Sequence, residues 1–77
     1  MILYHTEGCH LCEEAEALIL RLWPTSELEK VDVADCAEAM TRYGARIPVL
    51  CDQTDDRELG WPFDEEKLKE FLHRRGR

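Results

Sequence analysis

The hydrophobic pattern of this 77-residue chain changes its period at a pair of cysteines. Residues 2–5 form a short β-prone run that ends at Thr6-Glu7-Gly8, which predicts a strand followed by a turn. After Cys9 the apolar residues recur at helical spacing and should form a buried stripe: Leu11, Ala15, Leu18, Ile19 and Leu22. The segment Gly8-Cys9-His10-Leu11-Cys12 therefore stands where a strand passes into a helix.

Breaks and turn residues divide the rest of the chain. Pro24 ends the first helix at Trp23, because a residue before proline avoids the helical conformation. Three apolar runs bounded by turn residues predict further strands at residues 28–33, 48–51 and 58–61. The polar residues 52–57 predict a hairpin loop between the last two strands.

Capping signals predict two more helices. Asp35 followed by Glu38 has the spacing of a capping box, and Gly44 stands where a glycine commonly ends a helix. The apolar face of this second helix is predicted to be Cys36, Ala39, Met40 and Tyr43. Asp64 is predicted to cap the last helix. The inward face of this last helix is predicted to be Leu68, Phe71 and Leu72, and Phe63 and Leu68 stand at the positions of a hydrophobic staple.

The order of these elements defines the fold class. Two strands joined by a helix should be parallel with a right-handed crossover, and the later hairpin should extend the same sheet. The order β-α-β-α-β-β-α thus predicts an α/β three-layer sandwich, with a four-stranded mixed sheet and three helices. A chain of this length forms one domain, predicted over residues 1–77, and is too short for two.

The charge of the chain limits its partners. The formal net charge is −7, which would be repelled by a phosphate backbone or an anionic membrane surface, so we expect neither nucleic acid nor membrane as a partner. No apolar stretch reaches the ~20 residues that span a bilayer. Residues 1–4 run directly into strand-like sequence without a basic lead or cleavage site. We therefore expect a cytoplasmic protein that acts as a monomer.

The spacing of Cys9 and Cys12 suits disulfide exchange. A thiol attacks a disulfide only as the thiolate, and the partial positive charge of a helix N-terminus should lower the pKa of Cys9. Cys12 lies three residues later on the same helical face, where it can attack a mixed disulfide formed on Cys9. Protonated His10 would also favour the thiolate. The nearby carboxylates would oppose it, and they are Glu7, Glu13 and Glu14.

Two other interpretations use the same cysteines. A zinc site needs two further ligands, and the candidates His5, His10, Cys36 and Cys51 form no second paired motif. The same thiolates would also suit part of an iron–sulfur cluster that bridges two chains. The third interpretation is a redox-inert domain that only makes protein contacts. Cys36 and Cys51 lie in apolar segments, where a free cysteine is commonly buried.

Several segments in order along the chain resemble the glutaredoxin-like domain family of the thioredoxin superfamily. The matching residues are Leu3-Tyr4, Gly8 to Ala15, Tyr43-Gly44, Arg46 to Leu50 and Trp61 to Asp64. The resemblance implies a thioredoxin-like fold and a disulfide oxidoreductase, with Cys9 as nucleophile and Cys12 as resolving residue. It also implies that Pro48 is a cis-proline facing the pair, so that the Ile47 backbone can bind a peptide or glutathione by strand addition.

One segment departs from the pattern of typical glutaredoxins. Those proteins have Gly-Gly-x-x-Asp before the last helix, where a glutathione carboxylate docks, and here Trp61 replaces the second glycine. An indole would crowd the approach of glutathione to the backbone there. Arg46, Asp64 and His10 remain candidate contacts with the substrate. The resemblance thus implies no tightly bound cofactor, with glutathione at most a co-substrate. The expected partner is a disulfide-containing protein or a glutathionylated substrate.

Overall fold

Four strands and three α-helices make up the computed structural model, which describes residues 1–24, 27–54 and 56–73. In chain order they are β1 (Ile2–His5), α1 (His10–Leu22), β2 (Glu29–Asp32), α2 (Ala37–Tyr43), β3 (Val49–Asp52), β4 (Arg57–Gly60) and α3 (Glu65–His73), with a 3-10 helix at Val33–Asp35 before α2. The strands form one sheet in the order β2-β1-β3-β4. The predicted domain end and one residue of the predicted hairpin loop lie outside the described residues, at 74–77 and 55.

The register of β1 places the cysteine motif at one edge of the sheet. Tyr4 is paired with Val31 of the parallel strand β2 and with Val49 of the antiparallel strand β3. Because β1 and β3 run in opposite directions, the end of β1 and the beginning of β3 meet at the same edge. The mixed four-stranded sheet with three helices confirms the predicted fold class.

The larger part of the core lies between the sheet and the helices α1 and α3. The side chains of Leu3, Ile19, Leu50 and Leu68 are fully buried there. Phe63 and Leu68 belong to the same cluster, as the predicted staple requires, and Phe71 is buried with them. The Asp64 carboxylate accepts a hydrogen bond from the Lys67 N–H at 2.8 Å, which confirms Asp64 as the cap of α3.

The other face of the sheet is covered by the shorter helix α2. Val33, Ala39, Tyr43 and Val49 form a buried cluster, and the ring of Tyr43 stacks on that of Tyr4 at a centroid distance of 4.5 Å. The prediction that Met40 joins this face is wrong, because its side chain is 47% exposed. Cys36 is only half-buried, so the expectation of a buried thiol there is wrong as well.

The start of α2 also differs from its prediction. Asp35 lies in the 3-10 helix, and Cys36 is the N-cap of α2 without a side-chain cap hydrogen bond. The predicted capping box of Asp35 and Glu38 is therefore wrong. Asp32 caps the 3-10 helix instead, since its carboxylate accepts the Ala34 N–H at 2.9 Å. β2 ends earlier than predicted because Val33 already belongs to that turn.

Two further details concern the helix ends. Leu11 was expected in the buried stripe of α1 and is 46% exposed, so that part of the prediction is wrong. Gly44 is the C-cap of α2, as predicted, and a Cβ there would lie 2.5 Å from the Met40 carbonyl oxygen. No described helix combines the length and the apolar character needed to cross a bilayer.

Candidate active site

Cys9 and Cys12 form a disulfide at the N-terminus of α1. Cys9 is the N-cap residue, with extended backbone angles, and its carbonyl oxygen accepts the Glu13 N–H at 3.1 Å. The helix places Cys12 one turn deeper, with a Cα–Cα distance of 5.2 Å between the two cysteines. The predicted pair is thus brought together at the strand-to-helix junction.

Gly8 makes the turn that delivers Cys9 to the start of α1. Its φ of +76° lies in the left-handed region, which a residue with a Cβ rarely adopts. A Cβ at Gly8 would contact nothing within 4 Å, so the backbone angle rather than space selects glycine here. A substitution at Gly8 would therefore act on the position of Cys9.

The two sulfurs differ in access to solvent. Cys9 is partly exposed, whereas Cys12 is only 3% exposed. The Cys12 N–H donates a hydrogen bond to the Cys9 Sγ at 3.1 Å. An N–H donor and the positive end of the helix both stabilise negative charge on that sulfur. The exposed sulfur is therefore also the one that the backbone prepares to be a thiolate.

The imidazole of His10 pairs with a carboxylate of the same helix. Its Nε2 lies 3.0 Å from Glu14 Oε2, one helical turn away, and its side chain is 83% exposed. When protonated, the imidazolium is shared with Glu14, so its effect on Cys9 is weakened. Glu7 and Glu13 are exposed on either side of the pair.

A cavity of about 140 Å³ reaches the buried cysteine. Its walls come from β1, the following turn, α1 and β2, and the lining residues are Leu3, His5, Thr6, Glu7, Gly8, Cys12, Glu13, Glu16 and Lys30. Within it the Lys30 ammonium pairs with Glu16 Oε1 at 3.1 Å. Sequence reasoning missed Glu16 and Lys30, because only the pairing of β1 with β2 brings them together.

Pro48 lies buried before the start of β3, at the sheet edge that also holds the end of β1. The Ile47–Pro48 peptide bond is cis. The Trp61–Pro62 bond is cis as well, and nothing in the sequence indicated this second one. The Pro48 carbonyl oxygen accepts the Trp61 N–H at 3.1 Å, which joins the two cis-proline segments. Ile47 is half-buried and packs beside the α2 cluster.

Arg46 belongs to a network that sequence reasoning missed. Its guanidinium donates to Glu58 Oε1 at 3.0 Å and lies 5.4 Å from the centre of the Tyr43 ring. The Tyr43 hydroxyl donates to Glu58 Oε2 at 2.6 Å. This hydrogen bond raises the pKa of Tyr43 to about 12 and lowers the pKa of Glu58. Through these hydrogen bonds, the network links the segment before Pro48 to α2 and β4.

Removing the Tyr43 hydroxyl should destabilise the fold in a pH-dependent way. A hydrogen bond to a charged, partly solvated carboxylate contributes about 1 kcal/mol, so Tyr43→Phe should lower the free energy of unfolding by that amount at neutral pH. Because the pKa of Glu58 is lowered in the folded state, this contribution is present above its ordinary value of 4.5 and is lost as the pH falls through the folded-state value.

Urea denaturation of both proteins from pH 7 to pH 3 measures this difference. Tyr4→Phe is the matched control, because it keeps the stacked rings and removes a hydroxyl that does not bond Glu58. A Tyr43→Phe deficit that stays constant down to pH 3 would contradict the assignment.

The predicted glutathione contacts near α3 are engaged within the protein. Asp64 caps α3, as described above, and Trp61 packs edge-on against Phe63 at a centroid distance of 5.0 Å. The predicted binding residues thus divide into two groups. His10 lies beside the cysteines, whereas Arg46, Ile47, Pro48 and Asp64 belong to the segments before β3 and α3.

The two remaining cysteines are free thiols. Cys51 is buried, and burial together with the carboxylates of Glu58, Asp56 and Asp52 raises the pKa of its thiol. A higher pKa leaves less thiolate and makes Cys51 a poor nucleophile. Among residues 1–24, 27–54 and 56–73, no group of three or more His, Cys, Asp or Glu side chains is placed to hold a metal ion.

Comparison with solved structures finds the same fold in bacterial proteins. The X-ray structure of the Northeast Structural Genomics target protein XcR50 from X. campestris is 36% identical, with 94% of this chain and 93% of that chain covered and a TM-score of 0.82. The solution structure of Ne2328 from Nitrosomonas europaea is 33% identical, with coverage of 91% and 86% and a TM-score of 0.75. No protein among the curated sequences matches the chain.

The family model of the glutaredoxin-like domain (DUF836) matches residues 1–73. The match includes the turn, the cysteine pair and the cap of α3, and it agrees with the resemblance noted in the sequence. A cysteine pair at disulfide distance in this fold supports a redox role of the thioredoxin type. On its sequence, its fold and its disulfide site, the chain belongs to the glutaredoxin-like domain family.

Proposed function

We propose that the protein is a thiol–disulfide oxidoreductase that reduces disulfides in proteins or mixed disulfides with glutathione. The observation that supports this most is the unequal environment of the two sulfurs. Cys9 is partly exposed and accepts an N–H hydrogen bond on its sulfur, while Cys12 lies one helical turn below it and is buried. Attack and resolution are thereby assigned to different atoms.

The proposed reaction begins with the reduced pair. The Cys9 thiolate attacks one sulfur of the substrate disulfide, and the other substrate sulfur leaves as a thiolate. Cys12 loses its proton and attacks the Cys9 sulfur, which forms the Cys9–Cys12 disulfide and releases the second substrate thiolate. Two electrons pass from the pair to the substrate. The proton lost by Cys12 and the proton that Cys9 released to solvent on ionising balance the two product thiolates, which become thiols.

The disulfide form must then be reduced by a dithiol or by glutathione. We propose that no tightly bound cofactor takes part, since the exchange needs only sulfur nucleophiles. We further propose that the protein works as a monomer in the cytoplasm, where the thiol pool favours the reduced pair. The expected substrate is a protein disulfide or a glutathionylated protein.

Redox equilibration tests this proposal. Protein prepared without oxygen and incubated in buffers of reduced and oxidised glutathione, and then of dithiothreitol, should interconvert between a dithiol and a form lighter by two hydrogens. Peptide mapping should locate the disulfide between Cys9 and Cys12. A single midpoint reduction potential should fit the data from both buffers. Bound zinc or iron in the same preparation, with no Cys9–Cys12 disulfide on oxidation, would overturn the proposal.

A further inference from the structure

The cavity that reaches Cys12 is large enough for part of a substrate. Its volume of about 140 Å³ is roughly ten times the ~10–15 Å³ that one water molecule needs. It begins at the buried member of the cysteine pair, and the other member carries the sulfur that a substrate must reach. Cys9 does not line the cavity, but Gly8, which precedes it, and Cys12, which is bonded to its sulfur, both do. The cavity therefore lies next to Cys9, and the residue after a substrate cysteine is only about 3.8 Å further along the substrate chain.

The charges on the cavity wall are mostly negative. Glu7, Glu13 and Glu16 contribute three carboxylates, and the ammonium of Lys30 is already paired with Glu16. Among the residues that the structure describes, neither Glu7 nor Glu13 pairs with a cation. The remaining titratable side chains of the lining are those of His5 and Cys12. A concave surface with one dominant sign of charge concentrates ligands of the opposite sign.

We infer that this cavity binds a lysine or arginine side chain adjacent to the reacting cysteine of a protein substrate. This inference rests on the proposed function and defines its substrate class. A cationic side chain would complete ion pairs with Glu7 and Glu13 while the neighbouring substrate sulfur lies at Cys9. Glutathione has two carboxylates and one ammonium, so its net negative charge opposes binding at the same wall.

Two model peptide disulfides test the inference. They are identical except for the residue next to the cysteine, which is lysine in one and glutamate in the other. Reduced protein should convert the lysine peptide about tenfold faster in single turnover at low salt, and the ratio should fall towards one as added salt screens the charges. Each rate is divided by the rate at which dithiothreitol reduces the same peptide, which removes the difference in intrinsic reactivity between the two peptides.

Charge-neutralising variants locate the effect. The double substitution Glu7→Gln with Glu13→Gln should reduce the ratio to about twofold, whereas Glu14→Gln should leave it unchanged because Glu14 lies on the same helix outside the cavity. Within one variant, the ratio of the lysine-peptide rate to the glutamate-peptide rate is insensitive to a change in the reactivity of Cys9, because both rates change together. The comparison therefore reports substrate recognition separately from nucleophile strength.

The outcomes separate this inference from the proposed function. Equal rates for both peptides, with efficient reduction of each, would overturn the inference and leave the oxidoreductase intact. A ratio that falls equally in Glu14→Gln would also overturn it, because the preference would then come from overall charge. Failure to reduce either peptide would overturn the proposed function itself.

Discussion

Replacement of Cys9 by serine should lower disulfide reductase activity by at least roughly a thousandfold. A serine hydroxyl is not ionised at neutral pH, so the hydrogen bond and the helix terminus that stabilise a thiolate have no nucleophile to act on. Cys12→Ser should behave differently, because Cys9 can still attack the substrate while the resolving thiol is missing. It should accumulate a mixed disulfide on Cys9, detectable by mass spectrometry of the intact protein.

Cys36→Ser is the matched control for both variants. Cys36 is a free cysteine at the N-cap of α2, where serine is a favoured residue and the present side chain makes no cap hydrogen bond. We expect this variant to keep its activity and its stability. Full activity in Cys9→Ser would contradict the assignment of Cys9, as would loss of activity in Cys36→Ser.

Truncation of Leu50 should cost a large part of the folding free energy. Leu50 is fully buried in β3, an inner strand of the sheet, and packs in the cluster beneath α1 and α3. Leu50→Ala removes this packing and should destabilise the protein by about 2–5 kcal/mol. A domain of this length has a total of only about 4–12 kcal/mol, so the melting temperature should fall by roughly 10–30 °C.

Leu11→Ala provides the comparison for Leu50→Ala. The same side chain is shortened, but Leu11 is 46% exposed, so its truncation should change the unfolding free energy by less than about 0.5 kcal/mol. Calorimetry or urea denaturation of the three proteins measures both effects. Similar losses in the two variants would mean that Leu11 packs in the core after all.

Local signals predicted the site well where the chain itself determines the geometry. The positions of Cys9 and Cys12 follow from one strand-to-helix turn, and the cap at Asp64 needs only the next helical turn. The same logic failed at Asp35, because this residue lies in a 3-10 helix that Asp32 caps, and α2 begins only after Cys36. The start of that 3-10 helix depends on where β2 stops pairing with β1, at Asp32.

Other features depend on contacts that no local pattern encodes. Helical spacing predicts which way Leu11 points but not whether another element covers the first turn of α1. The network of Arg46, Tyr43 and Glu58 joins three segments that only the register of β3 with β4 brings together. The lining of the cavity beside Cys12 likewise requires the parallel pairing of β1 with β2.

The burial of Cys12 beside a reachable Cys9 has a kinetic consequence for the proposed cycle. In this cycle Cys9 attacks the substrate disulfide, and an external reductant attacks the more exposed Cys9 sulfur of the oxidised pair. Substrate and reductant must therefore visit the same atom at different times, which is the pattern of ping-pong kinetics. Each half-reaction leaves the protein in the form that only the other reactant can use.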